Sequence, residues 1–178
     1  MIDSSYILLL RGVNVGGTGK LPMAELRDRL AKSGFPDAKT YIQSGNIALK
    51  SSLARSEVVT AVQDVIETGF GFRPSAVVLT PEELEGAIGG NPFEVADKKF
   101  LHLTILSGEV CLDADGLKTY CTAGEEFALK ETVFYLSTPN GYGRSKAVEK
   151  LDKFLIADVK TARNLNSCEK ILALAKTL

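Results

Sequence analysis

Three stretches of the chain set cations and amide side chains beside glycines or at the entrance to a helix. RGVNVGGTGKLPMAEL (residues 11–26) holds Arg11, Asn14 and Lys20 among four glycines. GYGRSK (141–146) holds Arg144, Ser145 and Lys146, and TARNLN (161–166) holds Arg163 and Asn164. The chemistry these residue types share is anion recognition. A guanidinium can grip a carboxylate or phosphate with two parallel hydrogen bonds, and a helix N-terminus offers backbone N–H groups and a positive dipole end. Two cations in succession at a helix start repel that dipole, and a bound anion would relieve the repulsion. QSGN (43–46) adds Asn46 as an orienting amide, although Gly45 and Asn46 also suit a plain hairpin turn.

Sharper motifs fail on their spacing. A phosphate-binding P-loop ending at Gly19-Lys20 needs glycine where Asn14 stands and a hydroxyl where Leu21 stands. A dinucleotide fingerprint beginning at Gly17 needs its third glycine at Pro22. A nucleophilic Ser44 would want a base, and the single histidine, His102, alternates with Leu101 and Leu103, as a satisfied structural histidine on one sheet face would. Cys168 fits the apolar stripe of the last helix better than a reactive role. No catalytic set, metal or cofactor is therefore predicted.

The charge balance narrows the partners. Lys plus Arg number 21 against 22 Asp plus Glu, a net charge of −1, so no global field draws in a polyanion and any anion site must be local. The 45 % hydrophobic and 24 % charged fractions are those of a globular protein. Three cysteines without a paired spacing fit reduced thiols in a cytoplasm. The apolar run before Arg11 is too short for a signal peptide or a membrane span. The reading that follows is a small phosphate- or carboxylate-bearing ligand in a cleft between two halves. Arg11, Lys20, Arg144, Lys146 and Arg163 would contact the anion, and Asn14, Asn46 and Asn164 would orient it. Two alternatives stay open: single-stranded nucleic acid on a sheet face, although the basic footprint is missing, and an interaction module with an apolar partner surface.

The elements that must position these residues follow from periodicity. YILLLR (6–11) reads as a strand buried on both faces, and Met23, Leu26 and Leu30 recur at helical spacing behind Pro22. Residues 40–51 read as a hairpin with a two-residue turn at Gly45-Asn46. A helix capped by Ser56 and a strand at 75–80 complete a βαββαβ order. Thr80-Pro81-Glu82-Glu83 is a capping box opening a connector helix. From residue 100 the order returns: a strand, a weak helix near 116–121, a hairpin, a helix capped by Ser145, a strand near 158–162, and a last helix started by Asn166. The predicted fold is α+β, a tandem duplication of a ferredoxin-like unit. Residues 1–80 form the first half, 81–99 a helical connector, and 100–178 the second half with a C-terminal helix.

LLRGVNVGG, LPMAELR, YIQSGN, the Asn91-Pro92-Phe93 turn, GYGRSK and TARNLN together resemble the motifs of the family named domain of unknown function 1697, in that family's order. The resemblance implies a mostly bacterial, cytoplasmic protein of α+β fold and carries no activity with it. One departure is Leu165, where the family usually has tryptophan, so no stacking role is implied for that position.

Overall fold

The computed structural model of the chain describes residues 3–178. The chain divides into two compact units: Met1–Glu85 with Lys170–Leu178, and Gly86–Glu169.

In the first unit, β1 (Ser4–Leu10), α1 (Met23–Lys32), β2 (Lys39–Tyr41), β3 (Asn46–Ser51), α2 (Arg55–Phe70) and β4 (Ala76–Leu79) follow in that order. The strands form one antiparallel sheet in the order β2-β3-β1-β4, the split βαβ arrangement of a ferredoxin-like fold. Leu8 stands opposite Ile47 and Tyr6 opposite Leu49, so these side chains share one face. Met23, Leu26 and Leu30 of α1 and Val58, Val62 and Ile66 of α2 pack on that face, all buried. Each such aliphatic side chain contributes about 1.5–3 kcal/mol on burial. Ile7 and Leu9, pointing the other way, are also fully buried, as the uninterrupted apolar run predicts.

In the second unit, β5 (Leu101–Ser107), β6 (Cys111–Leu112), α4 (Ala114–Lys118), β7 (Glu126–Lys130), β8 (Val133–Ser137), α5 (Lys146–Phe154), β9 (Leu155–Ile156) and β10 (Val159–Asn164) give a sheet ordered β10-β5-β8-β7. This is the same strand order and connectivity, with β6 and β9 pairing as a separate short ladder. Leu106, Phe134 and Leu136 pack against Leu117 of α4 and Ala147, Leu151 and Phe154 of α5. The weak helix expected near 116–121 forms slightly earlier, as five residues capped by Asp113, whose carboxylate accepts the Gly116 N–H at 2.9 Å. Gly116 is there for space: a Cβ would sit 2.6 Å from the Phe154 ring.

The chain is partitioned differently from the predicted 1–80, 81–99 and 100–178. The boundary falls inside α3 (Pro81–Gly89), and the end of the C-terminal helix α6 (Leu165–Ala175), with the residues after it, belongs to the first unit. The Lys39 ammonium donates to the Thr177 carbonyl and hydroxyl at 3.0 and 2.8 Å, and Lys176 pairs with Glu85 at 2.6 Å. The far end of α3 belongs to the second unit, where the Tyr135 hydroxyl donates to the Ala87 carbonyl at 2.6 Å and Lys130 to Gly90 at 2.7 Å. The capping box at the start of α3 forms as predicted, Thr80 N–H to Glu83 at 2.8 Å and Glu83 N–H to the Thr80 hydroxyl at 3.2 Å.

The first hairpin is also corrected. Tyr41 pairs with Asn46, so the reversal takes four residues, 42–45, and Asn46 is the first residue of β3. Ile42 at φ +47° and Gly45 at φ +77° carry it. A Cβ on Gly45 would come within 2.6 Å of Val13 and 2.7 Å of Leu10. Gly71, the α2 cap at φ +78°, faces open space instead. Gly71→Ala is expected to cost only the left-handed strain, about 1–2 kcal/mol, whereas Gly45→Ala adds overpacking and is expected to cost about 3 kcal/mol in urea denaturation.

Candidate functional site: the loops at the strand ends

The glycine-rich stretch after β1 is a miniature β-ribbon. The Asn14 N–H donates to the Gly19 carbonyl at 2.9 Å and the Thr18 N–H to the Val15 carbonyl at 3.1 Å, with Gly16 (φ +60°) and Gly17 (φ +80°) at the tip. Two successive left-handed residues make the tight turn that matches strand twist. Asn14, itself at φ +53°, clamps the base of the ribbon. Its Nδ2 donates to the Leu21 carbonyl at 2.9 Å and to the Gln43 carbonyl at 2.7 Å, while its Oδ1 accepts the Leu21 N–H at 2.8 Å. The backbone donors of residues 14, 18 and 21 therefore serve the loop itself and do not form a phosphate cradle.

Asn46 is buried, and its Nδ2 donates to the Tyr41 carbonyl at 3.0 Å and the Ser44 hydroxyl at 2.8 Å, shaping the 42–45 turn. Of the four residues expected to meet a ligand on this unit, the two asparagines thus hold backbone. Arg11 and Lys20 are exposed, and the Lys20 ammonium has no hydrogen-bond or ion-pair partner among the described residues.

In the second unit Arg163 is buried in β10 opposite Leu103. Its Nη1 donates to the Thr161 hydroxyl and the Ala162 carbonyl, both at 2.8 Å, and burial pulls the guanidinium down to about 10. It remains charged at neutral pH, held within its own strand. Asn164 caps α6, its Oδ1 accepting the Ser167 N–H at 2.8 Å, the role the sequence assigned to Asn166. Cys168 is buried, and burial pushes its thiol up to about 12, which leaves it inert as a nucleophile.

The loop from β8 to α5 differs because its backbone is satisfied while its cations are not. The Thr138 N–H donates to the Phe100 carbonyl at 2.8 Å, Gly141 N–H to Thr138 at 2.9 Å, Arg144 N–H to Gly141 at 3.1 Å and Ser145 N–H to Tyr142 at 3.2 Å. The Ser145 hydroxyl accepts the Val148 N–H at 3.2 Å, the cap the sequence predicts. Arg144 and Lys146, on either side of that cap, are exposed, and neither forms an ion pair or side-chain hydrogen bond among the described residues. Glu149, in the first turn, is bound to Lys150 at 2.7 Å.

Under this loop His102 stacks on Tyr142, ring centroids 3.8 Å apart. The histidine is not the satisfied one the sequence predicts, because its Nδ1 is buried without a partner. It faces the helices from β5, alongside Leu136 of β8, and that apolar setting offers Nδ1 no hydrogen-bond partner. Burial lowers its pKa from 6.5 to about 4. Its interest was hidden because alternation gives a face and not a partner.

The chain matches the family described as protein of unknown function (DUF1697) over residues 4–135. It belongs to that family. The match includes the ribbon, the 42–45 turn and the Asn91-Pro92-Phe93 turn, while the 141–146 and 161–166 loops lie beyond it. A solved structure, that of the conserved bacterial protein SP0830 from Streptococcus pneumoniae, is similar with a TM-score of 0.76 at 24 % identity, covering 98 % of this chain and 99 % of that one. The likeness establishes the α+β fold. Comparison with curated proteins returns no match. Among the described residues no helix is long and apolar enough to cross a membrane.

Two outcomes follow for this family member. Asn14→Ala removes three hydrogen bonds at once, and hydrogen exchange is expected to speed up in residues 12–21 and at 43–45, with a stability loss of about 1–3 kcal/mol. For His102, the unfolded chain takes up its proton below pH 6.5 and the folded one only near pH 4. Stability is thus complete above pH 6.5 and falls as pH drops from 6.5 to 4, by up to about 3 kcal/mol. His102→Leu is expected to flatten that slope in chemical denaturation across this window.

Proposed function

We propose that this protein binds a small phosphate- or carboxylate-bearing ligand at the loop formed by residues 141–146. The observation that carries the reading is that Arg144 and Lys146, on either side of the α5 cap, have no ion pair or side-chain hydrogen bond among the described residues. A helix N-terminus already bears about half a positive charge, and the one carboxylate of the first turn, Glu149, is bonded to Lys150 and acts on Lys146 only through space, so an anion held by Arg144 and Lys146 would relieve the remaining positive field. Capping by Ser145 accounts for the Val148 N–H and leaves the N–H of Lys146, the exposed first helical residue, available to such an anion.

The loop is also held in shape before a ligand arrives. Its four backbone hydrogen bonds and the His102–Tyr142 stack fix its path, so little ordering entropy opposes binding. On the first unit, exposed Lys20 would be an anion contact separate from this loop, whereas Asn14, Asn46, Arg163 and Asn164 act by holding the loops that carry or flank them. Phe134 and Tyr135 are buried, so the rings of β8 offer no platform for nucleic-acid bases.

A thermal-shift series with phosphate monoesters and small dicarboxylates tests the reading. At 100 times its dissociation constant a ligand is expected to stabilise the protein by about 2.7 kcal/mol. The gain is expected to disappear in Arg144→Ala/Lys146→Ala, with the melting temperature of the free protein unchanged or raised. An equal gain in the double variant, or none in the native chain, contradicts it.

A further inference from the structure

Beside the anion loop lies an open cavity of about 800 Å³ lined by Phe100, Pro139, Asn140, Gly141, Gly143 and Arg144. Cavities of that volume hold small organic molecules, far more than a bare phosphate or carboxylate. Its walls are chemically split. Phe100 and Pro139 present apolar surface, while Arg144 brings the guanidinium already assigned to the anion.

The two glycines of the wall are there for different reasons. Gly141 has φ +103°, which its backbone requires. Gly143 lies in the 3-10 turn Tyr142–Arg144 without a left-handed φ, and a Cβ built on it meets nothing within 4 Å. Neither backbone nor packing asks for glycine at 143, and a side chain there would fill the cavity. Phe100 is fixed from behind, its carbonyl accepting the Thr138 N–H at 2.8 Å, and the Lys99 ammonium lies over its ring 4.9 Å from the centroid while also pairing with Asp97 at 2.9 Å. The backbone of Phe100 is thereby tied to the loop, and Lys99 covers one face of the ring.

From these observations, and resting on the anion reading above, we infer that the ligand is an aromatic phosphate monoester. Its phosphate lies at Arg144 and Lys146, and its flat ring occupies the space left by Gly143 against Phe100. Stacking on an aromatic side chain strengthens binding by about tenfold per ring.

Calorimetric titrations with two matched pairs test this: phenyl phosphate against methyl phosphate, and adenosine 5′-monophosphate against ribose 5-phosphate. The ring-bearing member of each pair is expected to bind at least tenfold tighter. Phe100→Leu is expected to erase that preference while keeping the affinity for ribose 5-phosphate. Gly143→Leu is expected to block the ring-bearing ligands with the melting temperature of the free protein unchanged. Equal affinity within both pairs, or undiminished binding to a stably folded Gly143→Leu variant, overturns the aromatic class and leaves the anion reading standing. If none of the four compounds binds, the phosphate monoester class fails, and the anion reading fails with it only if the small dicarboxylates give no thermal shift either.

Discussion

The path of the loop between β8 and α5 is set by its backbone hydrogen bonds, with the His102–Tyr142 stack beneath them, and the proposed function depends on it. Thr138 is tied to Phe100 at the start of β5, and Gly141, Arg144 and Ser145 are then tied back within the loop, each N–H meeting a carbonyl three residues earlier. Ser145 caps α5 and thereby fixes where the helix dipole begins. Arg144 and Lys146 are consequently held at a positive helix end, where the one acidic group of the first turn, Glu149, is bonded to Lys150 rather than to either of them.

Four other polar side chains of these loops are satisfied from within, while Lys20 on the ribbon is not. Asn14 closes the base of the glycine ribbon and Asn46 shapes the 42–45 turn. Arg163 is bonded along its own strand, and Asn164 caps α6. An amide or guanidinium that meets a backbone carbonyl at 2.7–3.0 Å is holding the fold, whatever its resemblance to a ligand contact. The 141–146 loop differs from these in that its backbone is satisfied while Arg144 and Lys146 have no ion pair or side-chain hydrogen bond among the described residues.

Local features were legible in the sequence. The capping box at Thr80 and Glu83, the Ser145 cap, the two-sided burial of β1 and the repeated βαββαβ order depend on neighbours within a few residues, and periodicity reports them. Features set by distant partners were not. Asn164 rather than Asn166 caps α6 because pairing with β5 carries β10 as far as residue 164, opposite His102. Arg163 is buried by that same pairing, and Gly116 answers to the approach of Phe154, 38 residues on in the sequence. The amide chemistry of Asn14 and Asn46 reads identically whether the partner is a ligand or a carbonyl. Arg144 and Lys146 stood out early because their conflict with the helix dipole is local and visible from spacing alone.

Amide chemical shifts measured by NMR during titration with phenyl phosphate test the central claim most directly, since each backbone N–H reports on its own surroundings. Saturable shifts are expected in residues 138–148 and at Phe100, and are expected to be absent when Arg144 and Lys146 are both alanine. Saturable shifts confined to the 12–20 ribbon, or a spectrum that does not change, would contradict it.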